Sequence, residues 1–112
     1  MADRIYIFDA VEFNDRMSYS DVVADISFLA MDLDFKNRTD LSDYLVERYV
    51  EYSGDEEVAE LLSFYKCYRA YVRGKVVSFR LNDSSINSQE KTLAAKEAKE
   101  YFRLSLEYAK IL

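Results

Sequence analysis

The chain has no histidine, no proline and no tryptophan, and its 112 residues include one cysteine and two glycines. Without histidine, these residues build neither a Ser-His-Asp or Cys-His nucleophile pair nor a His-ligated metal site. Cys67 alone closes no internal disulfide and supplies no four-cysteine zinc site. In a helical pattern it reads as a small buried apolar residue rather than a reactive thiol. Gly54 and Gly74 are isolated, which excludes a glycine-rich loop cradling phosphate. The absence of proline leaves helices free to run long.

Positive charge is also in short supply. Lys+Arg total 15 against 21 for Asp+Glu, a net charge of −6. Such a chain is a poor partner for a phosphate backbone, so no nucleic acid is expected. Lys66, Arg69, Arg73, Lys75 and Arg80 cluster locally and read as a solvated helix face. No apolar run approaches the ~18 residues of a membrane-spanning helix, so no membrane partner is expected. The N-terminus lacks a basic stretch followed by an apolar one, the mark of a signal peptide. The expectation is a cytoplasmic, reduced protein.

What the chain does have is apolar surface. Half of its residues are hydrophobic and ten are tyrosines. At this length, that suffices for the core of a single domain. Tyrosines spaced along helices commonly sit at the core edge or an interface, with the hydroxyl reaching out.

Residues 4–8, Arg-Ile-Tyr-Ile-Phe, are β-branched and aromatic and read as a strand. It is the only such run, so it lacks a ladder partner within the chain. After a loop at 10–18, Ser18 to Asp21 is a plausible helix start. Val22, Val23, Ile26, Leu29, Ala30 and Leu33 then keep helical spacing, and a first helix is expected over about 19–32. Thr39 reads as the next N-cap, with Asp40 and Asp43 favourable beside a helix N-terminus. Its expected buried stripe is Leu41, Tyr44, Leu45, Tyr49 and Tyr52, and Gly54 suits the position that ends it.

A third helix starts at Asp55-Glu56-Glu57, with Val58, Leu61, Leu62, Tyr65, Val72, Val76 and Phe79 along one face. Arg69 falls inside that stripe, where a charge is either paired or snorkels to the rim. Gly74 costs about 1 kcal/mol against Ala in a helix interior, so it marks a close helix approach or a bend. Asn82 to Ser88 has turn composition, and Asn87 with Glu90 can cap a last helix over about 88–110. Ala94, Ala98, Tyr101, Phe102, Ser105, Tyr108 and Leu112 share its face. The expected fold is mainly α: one short N-terminal β-strand, then about four helices, the last two an antiparallel hairpin.

Three acidic groupings carry possible chemistry. Asp9, Glu12, Asn14 and Asp15 form a dense oxygen cluster directly after the strand. Hard oxygen donors suit Mg²⁺, and Asx-rich turns also commonly follow strands. Asp21 and Asp25 stand one helical turn apart, as a cap plus an exposed acid or with one carboxylate needing a donor. Asp32 and Asp34 oppose the dipole of the helix they end, and read as a loop detail.

Three blocks together resemble a known family. They are Ile7-Phe8-Asp9-Ala10-Val11-Glu12-Phe13-Asn14, then the run from Asp21 to Leu33, then Phe64-Tyr65-Lys66-Cys67-Tyr68-Arg69-Ala70 on to Val76. In this order they look like the C-terminal part of a bacterial aminoglycoside-phosphotransferase-like family with a protein-kinase-like fold. The resemblance implies that Asp9 is the Mg²⁺-binding aspartate after a strand, and that Asp25 braces the catalytic loop. It marks Glu12 and Asn14 as signature positions. It places Arg69, Arg73 and Lys75 either along the substrate side or between helices.

The family's catalytic loop, His-Gly-Asp-x-His followed by Asn, has no counterpart in a chain without histidine. Mg²⁺ and ATP are therefore implied only for the full-length family, with no cofactor expected for this chain alone. One metal carboxylate without base, second ligand or nucleotide lobe gives no useful rate of phosphoryl transfer. The unpartnered strand implies a homodimer, through paired strands or exchanged helices; the alternative reading of the chain is a free-standing helical module that binds a partner protein or itself.

Overall fold

The structure, a computed structural model, describes residues 19–112. Four helices follow one another: α1 Tyr19–Phe35, α2 Thr39–Ser53, α3 Val58–Phe79 and α4 Ser88–Lys110. A 3₁₀ turn, Arg80–Asn82, extends α3. The mainly helical expectation holds among the described residues. The strand at 4–8 and the cap at Ser18 lie outside them.

α1 forms because Val22, Val23, Ile26 and Ala30 recur on one face, and all four are buried. It runs through Asp32 and Asp34 to Phe35, three residues beyond the expected end. Asn37 then takes a left-handed backbone, φ 61°, and turns the chain within three residues. The tight turn moves the α2 cap to Arg38, one residue before Thr39. The Arg38 carbonyl accepts from the Leu41 and Ser42 amides, and its guanidinium pairs with Asp40 at 3.2 Å. That pairing holds the Asp40 carboxyl below its usual range.

The buried face of α2 is Ser42, Leu45 and Tyr49. Of the expected stripe, Leu41, Tyr44 and Tyr52 instead face outward. Among the described residues α2 leans on α1 and the start of α3, so a narrow seam is covered rather than a wide face. Gly54 ends the helix in the left-handed region, φ 67°, with its N–H on the Val50 carbonyl. Asp55 Oδ1 then accepts the Glu57 amide at 2.9 Å, and the helix proper starts at Val58.

α3 and α4 hold 22 and 23 residues, and pack side by side as the expected hairpin. At 1.5 Å per residue, each reaches about 33–35 Å. Asp83 Oδ1 accepts from both the amide and the hydroxyl of Ser85 in the connection. Asn87 Oδ1 caps α4 by accepting the Glu90 amide at 2.8 Å. Val76 and Phe79, expected in the core, are exposed, as is Leu112. The buried side of α3 is Val58, Leu62, Ala70, Gly74 and Val77, because α1 and α4 grip it from two directions and displace the stripe.

The core has two parts. Val22, Val23, Ile26 and Ala30 pack with Leu45, Tyr49, Val58 and Leu62 between α1, α2 and α3. Met31, Ala70 and Val77 pack with Ala94, Ala98, Tyr101 and Tyr108 between α1, α3 and α4. Each fully buried aliphatic side chain contributes about 1.5–3 kcal/mol.

Gly74 is a point of close helix approach. A Cβ there would lie 2.7 Å from Phe102 Cε1, well inside contact distance. Gly74→Val is expected to lower the unfolding free energy by about 1–3 kcal/mol through overpacking. Adding Phe102→Ala should return much of that loss in urea unfolding. Additive losses would show that the two positions are not in contact.

Candidate functional site

The polar centre of the described residues lies where α1, α3 and α4 meet. Asp34 comes from the last turn of α1, Lys66 from the middle of α3 and Tyr108 from the last turns of α4. Lys66 Nζ stands 2.9 Å from Asp34 Oδ2, with the two side chains only 12% and 8% exposed. The Tyr108 hydroxyl donates to the same oxygen. Lys66 Nζ also lies 4.7 Å from the centre of the Tyr108 ring, a cation–π contact. Asp34 Oδ1 is buried and accepts no hydrogen bond.

Burial, then the hydrogen bond to Asp34, push the Tyr108 phenol far above its ordinary value. The phenol therefore stays a neutral donor and is not poised to give up its proton. A carboxylate clamped by an ammonium and a neutral phenol fastens three helices together. Beside it opens a cavity of about 100 Å³ lined by Asp34, Phe35, Asn37, Glu100, Arg103 and Leu104.

Neighbouring contacts fix the same junction. The rings of Phe35 and Tyr101 stack at 3.8 Å and 8°. The Ser105 hydroxyl donates to the Cys67 carbonyl at 2.9 Å, and Cys67 Sγ lies 3.4 Å from the Ser105 carbonyl oxygen. Cys67 is half-buried and serves helix packing, as its setting in the sequence indicates.

Asp9, Glu12 and Asn14, the candidate metal and signature positions, lie outside the described residues. Asp25 is exposed on α1, away from the Asp34 cluster. Arg69 is half-buried, with its guanidinium 4.8 Å from the Phe28 ring centre, and so links α3 to α1. Arg73 sits 5.6 Å from the Tyr101 ring centre and links α3 to α4. Lys75 is exposed, over the ring of Tyr71 one turn earlier. The basic cluster is thus no uniform solvated face: Lys66, Arg69 and Arg73 turn inward onto rings and a carboxylate. Among the described residues, no group of three or more His, Cys, Asp or Glu could hold a metal ion.

Sequence reasoning passed over Asp34, Lys66 and Tyr108 as a unit. The available signal was Asp34 itself, an acid in a helix's last turn against the dipole. Its conflict with the helix end is resolved from outside, by donors 32 and 74 residues away.

The chain has relatives that are much longer than itself. It is 45% identical over 92 residues to the uncharacterised protein Rv2004c of Mycobacterium tuberculosis strain H37Rv. The match is the same to the uncharacterised proteins MT2060 of M. tuberculosis strain CDC 1551 and Mb2027c of Mycobacterium bovis. In each case the alignment covers 82% of this chain and 17% of the relative. No family model and no solved structure matches the chain.

Removing one member of a buried ion pair strands the other. Lys66→Met is expected to cost about 3–5 kcal/mol in chemical denaturation, and Asp34→Leu with Lys66→Met to recover much of it. A neutral Lys66→Met would show that the pair is not buried in solution. Because the Tyr108 phenol is raised on folding, its contribution is full below the unfolded value near 10. It is lost as pH rises above that value. Wild type should therefore lose stability more steeply than Tyr108→Phe above pH ~10, by at most about 1.4 kcal/mol per pH unit. Parallel alkaline profiles would contradict the assignment.

Proposed function

We propose that this chain is the helical C-lobe part of an aminoglycoside-phosphotransferase-like protein, and that these 112 residues are catalytically incomplete. The observation that carries the reading is the meeting of two signature blocks. The block from Asp21 to Leu33 lies along α1 and the block from Phe64 to Val76 along α3, and Arg69 of one covers Phe28 of the other. Lys66 of the α3 block grips Asp34, the residue after the α1 block. Blocks that pack on one another belong to one structural unit, as a shared family pattern requires. The length of the mycobacterial relatives supports the same reading, since the matched segment is a sixth or so of each.

In this reading Asp9 would supply a Mg²⁺ ligand only beside a catalytic loop and a nucleotide-binding lobe. Arg69 and Arg73 act between helices, as positioning residues for the lobe. Mg²⁺ and ATP belong to the full-length protein. A reduced, cytoplasmic setting accords with the single thiol. No helix among the described residues is long and apolar enough to cross a membrane.

Two measurements test the proposal. The purified chain is expected to release no phosphate from Mg²⁺-ATP and to give no heat on titration with it; turnover would refute the incompleteness. An experimental structure of one full-length mycobacterial relative is expected to place the matching helices behind a nucleotide-binding lobe. Finding them in any other setting would end the kinase-like reading.

A further inference from the structure

Two carboxylates beside the three-helix junction have acceptor capacity that the described residues do not fill. Asp34 Oδ1 is buried and accepts no hydrogen bond, on a side chain only 8% exposed. Glu100 is half-buried on α4, and its side chain makes no hydrogen bond or ion pair among the described residues. Both residues line the cavity of about 100 Å³ between the end of α1 and the middle of α4, with Phe35, Asn37, Arg103 and Leu104. Buried polar atoms are as a rule hydrogen-bonded, so a free acceptor beside a cavity points to something the cavity receives.

The charges around the cavity indicate what that is. The lining and its ion-pair partners hold the carboxylates of Asp34, Glu100 and Glu107 against the cations Lys66 and Arg103, which leaves one negative charge over. Lys66 is committed to Asp34 Oδ2 at 2.9 Å and Arg103 to Glu107 at 2.8 Å. Lys96, one turn before Glu100, is exposed and does not pair with it. A divalent metal does not suit the place. No group of three or more His, Cys, Asp or Glu among the described residues could hold one, and such hard cations take about six oxygens. A cation that binds through N–H groups needs only two or three acceptors. Asp34, Glu100 and the side-chain amide of Asn37 offer that number.

We propose that this cavity binds the primary ammonium group of a small free amine between the carboxylates of Asp34 and Glu100. An ammonium carries three donors and no acceptor, which complements a lining with free acceptors. Its charge balances the carboxylate left over. Water fits the same space and supplies donors, but it leaves that charge unbalanced. The bound group joins the end of α1 to α4 at a second point, beside the Lys66 and Tyr108 contacts to Asp34. The inference does not rest on the kinase-like reading and involves neither Asp9 nor the Mg²⁺-ATP chemistry of a full-length protein.

Methylammonium chloride titrated into the purified chain, with sodium chloride holding the ionic strength constant, tests the proposal. The backbone amide resonances of Asn37 and Leu104 are expected to shift along a saturable curve in proton–nitrogen correlation spectra. Tetramethylammonium has the same charge and no N–H, and is expected to leave them unmoved. Glu100→Gln is expected to weaken methylammonium about tenfold, the worth of one charge-assisted hydrogen bond. Replacing Asp34 alone strands Lys66, so the paired variant Asp34→Leu with Lys66→Met is used, with circular dichroism to verify its helices. It is expected to abolish the saturable shift. A response that does not saturate, or is the same for both ammonium ions, shows a cavity that holds water only and overturns the proposal. So does an affinity left unchanged by Glu100→Gln or by the paired variant, which places the binding elsewhere.

Discussion

The fold depends on one buried carboxylate. Asp34 is removed from water at the end of α1, and a carboxylate in that setting is tolerated only when donors replace its hydration. Lys66 and Tyr108 supply them from two other helices. The three positions must therefore coincide, which sets how far α1 runs before the chain turns and where α4 lies along α3. Apolar packing alone permits sliding of a helix by a turn; a shared oxygen with two donors does not. The stacked Phe35 and Tyr101 and the Cys67–Ser105 contact then fall into place around that junction.

Three of the chain's 15 lysines and arginines are directed inward. Lys66, Arg69 and Arg73 each lie over a ring within the bundle, on Tyr108, Phe28 and Tyr101. Arginine suits this role, since its planar, weakly hydrated head stacks on an aromatic face. With these cations partly withdrawn, the negative balance of the surface becomes more pronounced.

The helices were legible in the sequence because their signals are local. Asn87 capping, Gly54 termination and the α4 face from Ala94 to Tyr108 each depend on residues within a few turns. The span of α4 follows from a cap and a period, and the structure agrees with it. Periodicity alone did not select which of two adjacent stripes on α2 and α3 is buried. Tyr44, Tyr52, Val76 and Phe79 satisfy the period yet face outward, because the neighbours that decide the matter come from distant sequence. The same limit hid the Asp34 cluster, whose members are meaningful only as a trio. Among the candidate site residues, Arg69 and Arg73 were conspicuous as charges in an apolar stripe. The rings that hold them, Phe28 and Tyr101, carried no mark of that partnership.

The two-part core has a further consequence. α1 and α3 belong to both parts, whereas α2 belongs only to the first and α4 only to the second. The chain therefore contains a shared central wall with a leaf on each side. A leaf can lift away without breaking the packing of the other, and the α4 leaf is held in addition by the Tyr108 hydrogen bond to Asp34. Opening of α2 is then a separate, lower-energy event than global unfolding. Backbone amides along α2 would exchange with solvent on that shorter timescale, while those of α3 at the wall would wait for the whole domain to come apart.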